Sequence, residues 1–595
     1  MSTADYLIVF AFLGVTFAVG SVFYRWVGAA DDFYLAGRRL TPFLLAAVLT
    51  ATNVNLYSFV GQAGIAYREG IAIVWQTWTG NMAMVFAGLF VLPIFRRLRI
   101  RTIPEFLEMR YSKGVRTFVA ALWVFRLAFW LGVISYTATV AAQALTGFHS
   151  FTAWLLIFSV VAIVYTTLGG MWSVAFTDAM QFVFMLAGAL IVLPLAMARV
   201  GWWPGLEAQL PAGALTLVSQ AGPYNWQFIL AIYLLGIEWA CVDQGLLQRA
   251  FGAESTGTVA RGMVLAGVIT TPFALLWNIP GLAARVILPG LENADTAIPQ
   301  LLSALLPAGV LGFVVCGLMS SHLSTISANL NGVATIVASD IYESLRKAKP
   351  ADRDVLRVAR IVTAAAGAAM ILFAYLVPLL GGAVEAYLTV IAVMDMPLFV
   401  IAVVYGLLWK RATWKGAIAG YAAAAAAGVA AQFVLGLGFT ITTFITAAVA
   451  LAVTPLASLA GGGADSHSIE AIWRARRTSD EELSAGSVFH LVPVSPRGRF
   501  GLGLFAAGLL IFVAGVIEPN FTSCSSLSLS FLNLRMVSAA PSMASGGAIT
   551  FTREPSIRRA SQIGELSSTR RPTWLTMRWQ MFISCWPSRK RMLVS

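Results

Sequence analysis

A run of oxygen-bearing side chains interrupts one of the most apolar parts of this chain. Between Gly317 and Tyr342 stand Ser320, Ser321, Ser324, Thr325, Ser327, Asn329 and Asn331. On a helix, the Gly317 carbonyl and the side chains at 320 and 321 lie three and four residues apart, so their oxygens gather on one face. Neutral oxygens of this kind suit a hard cation, which takes carbonyl and hydroxyl ligands; sodium needs little net negative charge around it. The competing reading is that Ser and Thr in apolar helices bond back to a preceding carbonyl, or let helices pack closely. The spacing favours a cation, but these oxygens make an incomplete shell. The remainder must come from elsewhere in the chain.

A second class of polar residue is costlier to bury. Asp178, Glu238, Asp243 and Asp395 lie within apolar segments, where an ionised group costs about 3 kcal/mol on insertion scales and needs a partner or an aqueous path. Arg126, itself in an apolar segment, is available to neutralise one of them. A structural ion pair therefore competes with any functional role for each acid. Gly169-Gly170 and Thr177-Asp178 frame a turn in YTTLGGMWSVAFTDAMQ, with Gln181 on the helical face of Asp178.

Two apolar segments are interrupted. LTATNVNLYSFVGQAG carries Asn53, Asn55, Gly61 and Gly64, and LLGIEWACVDQGLLQR carries Gly236, Glu238, Asp243, Gln244 and Gly245. Backbone groups freed by a break must face protein, water or a ligand, because lipid cannot satisfy them. Close packing through small residues is the plainer alternative.

The elements that must position these residues are membrane helices. The chain of 595 residues is 58% hydrophobic and 11% charged, against about 25% charged in soluble domains. Runs long enough to cross a bilayer number about fourteen. They fall near 5–24, 43–66, 71–95, 117–146, 151–171, 174–198, 226–248, 263–288, 308–340, 358–380, 384–409, 414–434, 439–460 and 500–517. The two interrupted runs stand five apart, as an inverted repeat of five plus five helices requires. The first run follows Asp5 without a basic flank or a small-residue cleavage site, so it reads as a retained span.

Lys and Arg concentrate in the segments 25–39, 96–116, 249–261, 346–360, 410–415 and 474–499, whereas the alternate loops hold only Arg68, Arg199 and Arg285. Placing the basic set in the cytoplasm puts the N-terminus outside and makes the chain a multi-pass plasma-membrane protein. The net charge of +13 is then a topology signal, and no nucleic-acid partner is expected. Four cysteines are too few and too scattered for a disulfide framework or a metal cluster. Residues 521–595 are basic and Ser-rich, without helical period, on the side where positive charge is not expected. They read as a disordered extension or as sequence out of its proper frame, separate from a transmembrane domain over 1–520.

Six blocks in order resemble the sodium:solute symporter family, which includes the sodium/glucose and sodium/proline cotransporters. They are DFYLAGRRLTPFLLAAVLTATNVNLYSFVG, RTIPEFLEMRY, YTTLGGMWSVAFTDAMQ, DQGLLQRAFGAES, the Gly317–Tyr342 stretch and YGLLWKRATWKGAIAG. The resemblance covers about 5–520. It implies an all-α polytopic fold of the leucine-transporter type, with inverted repeats over about 43–198 and 226–409, each opening on a broken helix. It also implies a sodium site from the carbonyls of Ala51, Val54 and Gly317 and the hydroxyls of Ser320 and Ser321, where Gly317 replaces a common Ala. Asp178 matches an acid associated with sodium passage to the cytoplasm.

The departures bear on the solute. Sugar-transporting members carry Gln, Glu, Ser and Asn at positions resembling Ser58, Thr77, Gly80 and Gly236, which argues against a hexose. Trp239 matches an aromatic gate, usually Tyr. Asp243 replaces a common Asn, Asp395 precedes Pro397 where the family helix bends, and His322 stands where Leu is usual. His322 is expected to be a hydrogen-bonded core residue, with a pH-sensing role as the alternative.

The function expected is sodium-coupled import of a small polar organic solute by alternating access, in the bacterial inner membrane. The alternatives are proton coupling through Asp178, Asp243 or Asp395, and a transporter-like sensor acting with a separate signalling partner. An enzyme is not expected, because no nucleophile–base pair or metal-ligand spacing recurs within reach of one membrane face.

Overall fold

The computed structural model describes residues 1–22, 30–219, 223–348, 350–380, 383–460 and 466–477. The last candidate span, 500–517, and the segment 521–595 lie outside the described residues. Apart from one parallel bridge between Leu40 and Ala253, the described residues form helices joined by turns.

The long helices are α1 (Thr3–Val22), the pair α2 (Pro42–Asn53) and α3 (Ser58–Glu69), α4 (Ile71–Arg97), α5 (Lys113–Thr146) and α6 (Phe151–Arg199). The pair α7 (Trp226–Val242) and α8 (Gln244–Phe251) follows, then α9 (Thr256–Ile287), α10 (Val310–Glu343) and α11 (Asp352–Ala374). The series continues with α12 (Tyr387–Leu408), α13 (Trp414–Val434) and α14 (Gly438–Ala460). Ten of these are long and apolar enough to cross a membrane, or twelve when each bent pair counts as one span. Local sequence sets several of their starts. Ser112, Ser150, Asn225, Asp243, Ser255 and Thr413 each accept a backbone N–H from the first turn that follows, satisfying donors the helix cannot.

A straight α6 of 49 residues would be about 74 Å long, more than twice a ~30 Å hydrocarbon core. It is not straight. Gly170 has φ 52° and ψ −145°, a conformation that only glycine adopts freely, and a Cβ there would lie 2.6 Å from the Phe33 ring. Contacts with α10 show the result. In the first arm, Phe158 packs on His322 and the Tyr165 hydroxyl donates to the Leu323 carbonyl. In the second, Gly188 approaches Val314 and Gly317, so the chain runs back along the helix it has just met. The turn expected at Gly169-Gly170 is therefore at Gly170 itself, with no intervening loop.

α10 lies at the centre: 89% of its most apolar window is buried, against 33% for α1. The Asp5 carboxylate of α1 accepts the backbone N–H groups of Gly309 (2.7 Å) and Gly312 (2.8 Å). It caps α10 from another helix. A Cβ at Gly312 would fall 2.6 Å from the Asp5 Cα, so a glycine there permits the approach.

Both interrupted segments are broken, more narrowly than their glycines suggest. α2 and α3 meet at 51° across Val54 and Asn55, and α7 and α8 meet at 42° across Asp243. Gly61, Gly64, Gly236 and Gly245 all lie within helices. Outside the breaks, the Leu40 N–H donates to the Gly252 carbonyl (3.0 Å) and the Glu254 N–H to the Leu40 carbonyl (3.1 Å). The chain entering α2 is thereby tied to the chain leaving α8.

Candidate functional site

At the α2–α3 break the helical ladder stops, which leaves carbonyls without intrahelical partners. Val54 is extended (φ −91°, ψ 105°), and its N–H returns to the Thr50 carbonyl at 3.0 Å. The Thr52 carbonyl accepts the Thr325 hydroxyl of α10 at 3.4 Å. That contact joins the broken helix to the polar stretch, and Ser321 lies one turn from Thr325 on the same face. Ala51, Val54, Ser320 and Ser321 are all buried. The Ser320 hydroxyl donates to the Cys316 carbonyl (2.7 Å) and the Ser321 hydroxyl to the Leu318 carbonyl (2.8 Å). The back-bonding weighed from sequence is thus present. It uses the hydroxyl protons and leaves oxygen lone pairs, which are what a cation takes. Gly317 packs against the second arm of α6, where a Cβ would stand 2.8 Å from the Phe184 carbonyl oxygen.

Beside the break is a cavity of ≈ 100 Å³. Of the solute-binding or gate residues expected from sequence, Ser58, Thr77, Trp239 and Asp243 line it, together with Gly80 and Gly236. Asn53, Asn55 and Gly245 of the interrupted segments and Thr325 and Asn329 of the polar stretch line it too. Sequence reasoning did not single out Tyr57, Gln62, Gln76, Trp130 or Tyr387, which also line it. The Thr77 hydroxyl donates to Gln62 Oε1 (2.9 Å), which also accepts the Trp277 indole N–H (3.0 Å). Gln76 Nε2 donates to the Tyr57 hydroxyl at 2.9 Å. The rings of Tyr57, Trp130 and Tyr387 meet pairwise, with centroids 4.1–6.0 Å apart. One signal was available: Trp130 stands one helical turn beyond Arg126, on the same face.

Asp395 is not on the cavity wall. It reaches the site through Arg126, which is 1% exposed. The guanidinium donates through Nε to Asp395 (2.8 Å) and through Nη1 to Asp243 Oδ2 (3.0 Å). Asp243 Oδ1 accepts the Leu246 N–H at 3.0 Å, so this carboxylate also caps α8. Glu238 is fully buried, and neither carboxyl oxygen has a hydrogen-bond partner among the described residues. Asp395 stands in a π-helical turn, Ile391–Asp395, just before Pro397. Proline has no N–H to continue the regular ladder.

Asp178 pairs with Arg249 at 2.8 Å, both side chains fully buried. This corrects the sequence reading of Arg249 as a cytoplasmic loop charge. α8 continues to Phe251, and the residue's basicity serves the Asp178 pair, not topology. His322 is also buried, but its ring nitrogens have no hydrogen-bond partner among the described residues. It packs edge-on against Phe158, centroids 5.5 Å apart, in place of the hydrogen-bonded arrangement expected.

The profile of the sodium:solute symporter family matches residues 33–423, a stretch that holds both broken helices, α10 and the cavity. This chain belongs to that family. The sodium/glucose cotransporter of Vibrio parahaemolyticus is 29% identical over 428 residues, 66% of this chain and 78% of that one. The mouse (Mus musculus) sodium/glucose cotransporter 4 is 24% identical over 403 residues, 61% of this chain but only 58% of the mouse protein's length. A Na+-coupled sialic acid symporter, in its substrate-bound outward-open state, superposes with a TM-score of 0.72 at 21% identity. That match covers 78% of this chain and 99% of that one, and it establishes the fold of the symporter-family chain. The relatives are transporters, not enzymes.

Proposed function

We propose that this chain is a sodium-coupled symporter that imports a small polar organic solute by alternating access. The observation that carries the reading is the break at Val54–Asn55, joined to α10 through Thr325 and opening beside a cavity of amides, hydroxyls and aromatic rings. Sodium is held by the carbonyls of Ala51, Val54 and Gly317 and the hydroxyls of Ser320 and Ser321. Its binding energy is differential, because these ligands sit on two helices and are complete only while α2 and α10 are together. An ion that prefers that arrangement shifts the population toward it. Release of sodium to the cytoplasm, by way of Asp178, frees α2 to move and opens the solute cavity inward.

The matched bends at 51° and 42° support inverted repeats over about 43–198 and 226–409. The basic loops support a cytoplasmic face bearing the segments 96–116 and 346–360, with the N-terminus outside and the bacterial inner membrane as location. The names of the relatives support sodium as the coupling ion. Hexose is the less favoured solute. Ser58, Thr77, Gly80 and Gly236 line the cavity, where the sugar-transporting members present longer polar side chains. Proton coupling through Asp178, Asp243 or Asp395 is the second reading, but each of these acids is held by a guanidinium.

A solute screen in proteoliposomes tests the assignment. Uptake should require an inward sodium gradient and should not be driven by a proton gradient alone. Accumulation that follows the proton gradient at constant sodium would overturn it.

A further inference from the structure

The charges around the cavity do not balance. Among the described residues, Asp243 is the only charged residue lining it, 6% exposed. Behind Asp243, one guanidinium, that of Arg126, holds both Asp243 and Asp395. Two carboxylates thus share one positive charge in a buried setting. Unbalanced charge there is far more costly than at a surface. The imbalance faces the cavity through Asp243, and among the described residues no Lys, Arg or His lines it.

Much of the lining is aromatic. Trp130 and Tyr387 lie at 4.1 Å between centroids, Tyr57 and Tyr387 at 5.3 Å, and the Trp239 ring lines the same space against Gly80. Ring faces attract cations through their quadrupole, most strongly where water is excluded.

We propose that the solute carries a cationic nitrogen, an ammonium or amidinium group, seated between Asp243 and the Tyr57–Trp130–Tyr387 rings. This deepens the symport reading and rests on it. The cationic group supplies the positive charge that Arg126 alone does not provide, and an anionic solute would meet a like charge. The Arg126 guanidinium serves as a positioning residue: it fixes the Asp243 carboxylate by one oxygen while the Leu246 N–H fixes the other.

The experiment is thermal stabilisation of the full chain in detergent, with choline and tetramethylammonium as cations, glucose as a neutral probe and lactate as an anion. Each is titrated with and without sodium. The cations should stabilise the protein while glucose and lactate do not. Asp243→Asn, which retains an oxygen for the Leu246 cap, should weaken cation binding about tenfold or more, the scale of one charge-assisted contact. Trp130→Leu is the second variant and should also weaken it, since it leaves every charged group in place. Absence of a shift with both cations, a larger shift with glucose or lactate, or unchanged cation binding in both variants would each overturn the proposal. The sodium arm separates the two readings. A cation shift indifferent to sodium supports the solute class while removing sodium coupling, whereas a sodium-dependent shift with glucose alone does the reverse.

Discussion

Ser320 and Ser321 resemble Thr325 and Ser327 in bonding back along their own helix. Both hydroxyls bond back along α10, as do Thr325 to the Ser321 carbonyl and Ser327 to the Ser324 carbonyl. Back-bonding alone therefore cannot distinguish ligand from packing. A hydroxyl that also completes an ion's shell should lose about 1.5–3 kcal/mol of binding on removal. Ser320→Ala or Ser321→Ala is thus expected to raise the sodium concentration for half-maximal uptake roughly ten- to hundredfold. Ser324→Ala and Ser327→Ala should titrate like the parent. Uptake measured against sodium in proteoliposomes checks both. Asp178 calls for a different design, because its partner is a fully buried guanidinium. Asp178→Asn leaves Arg249 unpaired, a loss of about 3–5 kcal/mol, while replacing both members by apolar residues is often close to neutral. The pair Asp178→Leu with Arg249→Met should therefore regain most of the thermal stability that Asp178→Asn loses. If Asp178 also conducts sodium toward the cytoplasm, uptake should stay slow in the restored protein.

At the scale of elements, the site depends on helices that end inside the protein. α2, α3, α7 and α8 terminate at breaks, where some end groups are taken up locally: the Val54 and Asp243 N–H groups return to the Thr50 and Trp239 carbonyls. α10 shows this at its N-terminus, where Asp5 from α1 accepts two of its first N–H groups. Its negative charge also suits the helix dipole. Asp5→Ala should cost about 1–2 kcal/mol, the worth of a good N-cap. The loss should be local, with faster amide exchange over 309–313 and a lower melting temperature, while the sodium dependence of uptake holds. The Leu40–Ala253 bridge acts outside the breaks, at the far ends of two half-helices. It joins the approach to α2 to the exit of α8, so the two half-helices share a backbone contact that neither sequence segment reveals.

For the whole molecule, the family match ends at 423 and the site lies within it. Truncation after Thr522 is expected to leave expression and sodium-driven uptake unchanged, since residues 521–595 lack the apolar period of the preceding spans. Size-exclusion profile and uptake rate together check this. A marked loss of folded protein would assign the tail a structural role.

The sequence determined the all-helical, multi-span character and the places where elements fail. Apolar runs of bilayer length, caps at helix starts and the polar residues in two spans are local properties, legible one segment at a time. It also placed Ser58, Thr77, Trp239 and Asp243 where they line one cavity, through the resemblance its motifs carry. The tertiary structure decided who meets whom. Arg249 reads as a basic loop residue until α8 is seen to bury it against Asp178, 71 residues earlier. Arg126 could neutralise any of several acids, and only packing shows it shared between Asp243 and Asp395. Tyr57, Trp130 and Tyr387 are ordinary apolar-run aromatics until three helices bring their rings together. Coulomb and ring interactions act over a few ångströms in space, whatever the separation in sequence, so pairing is a property of the assembled bundle.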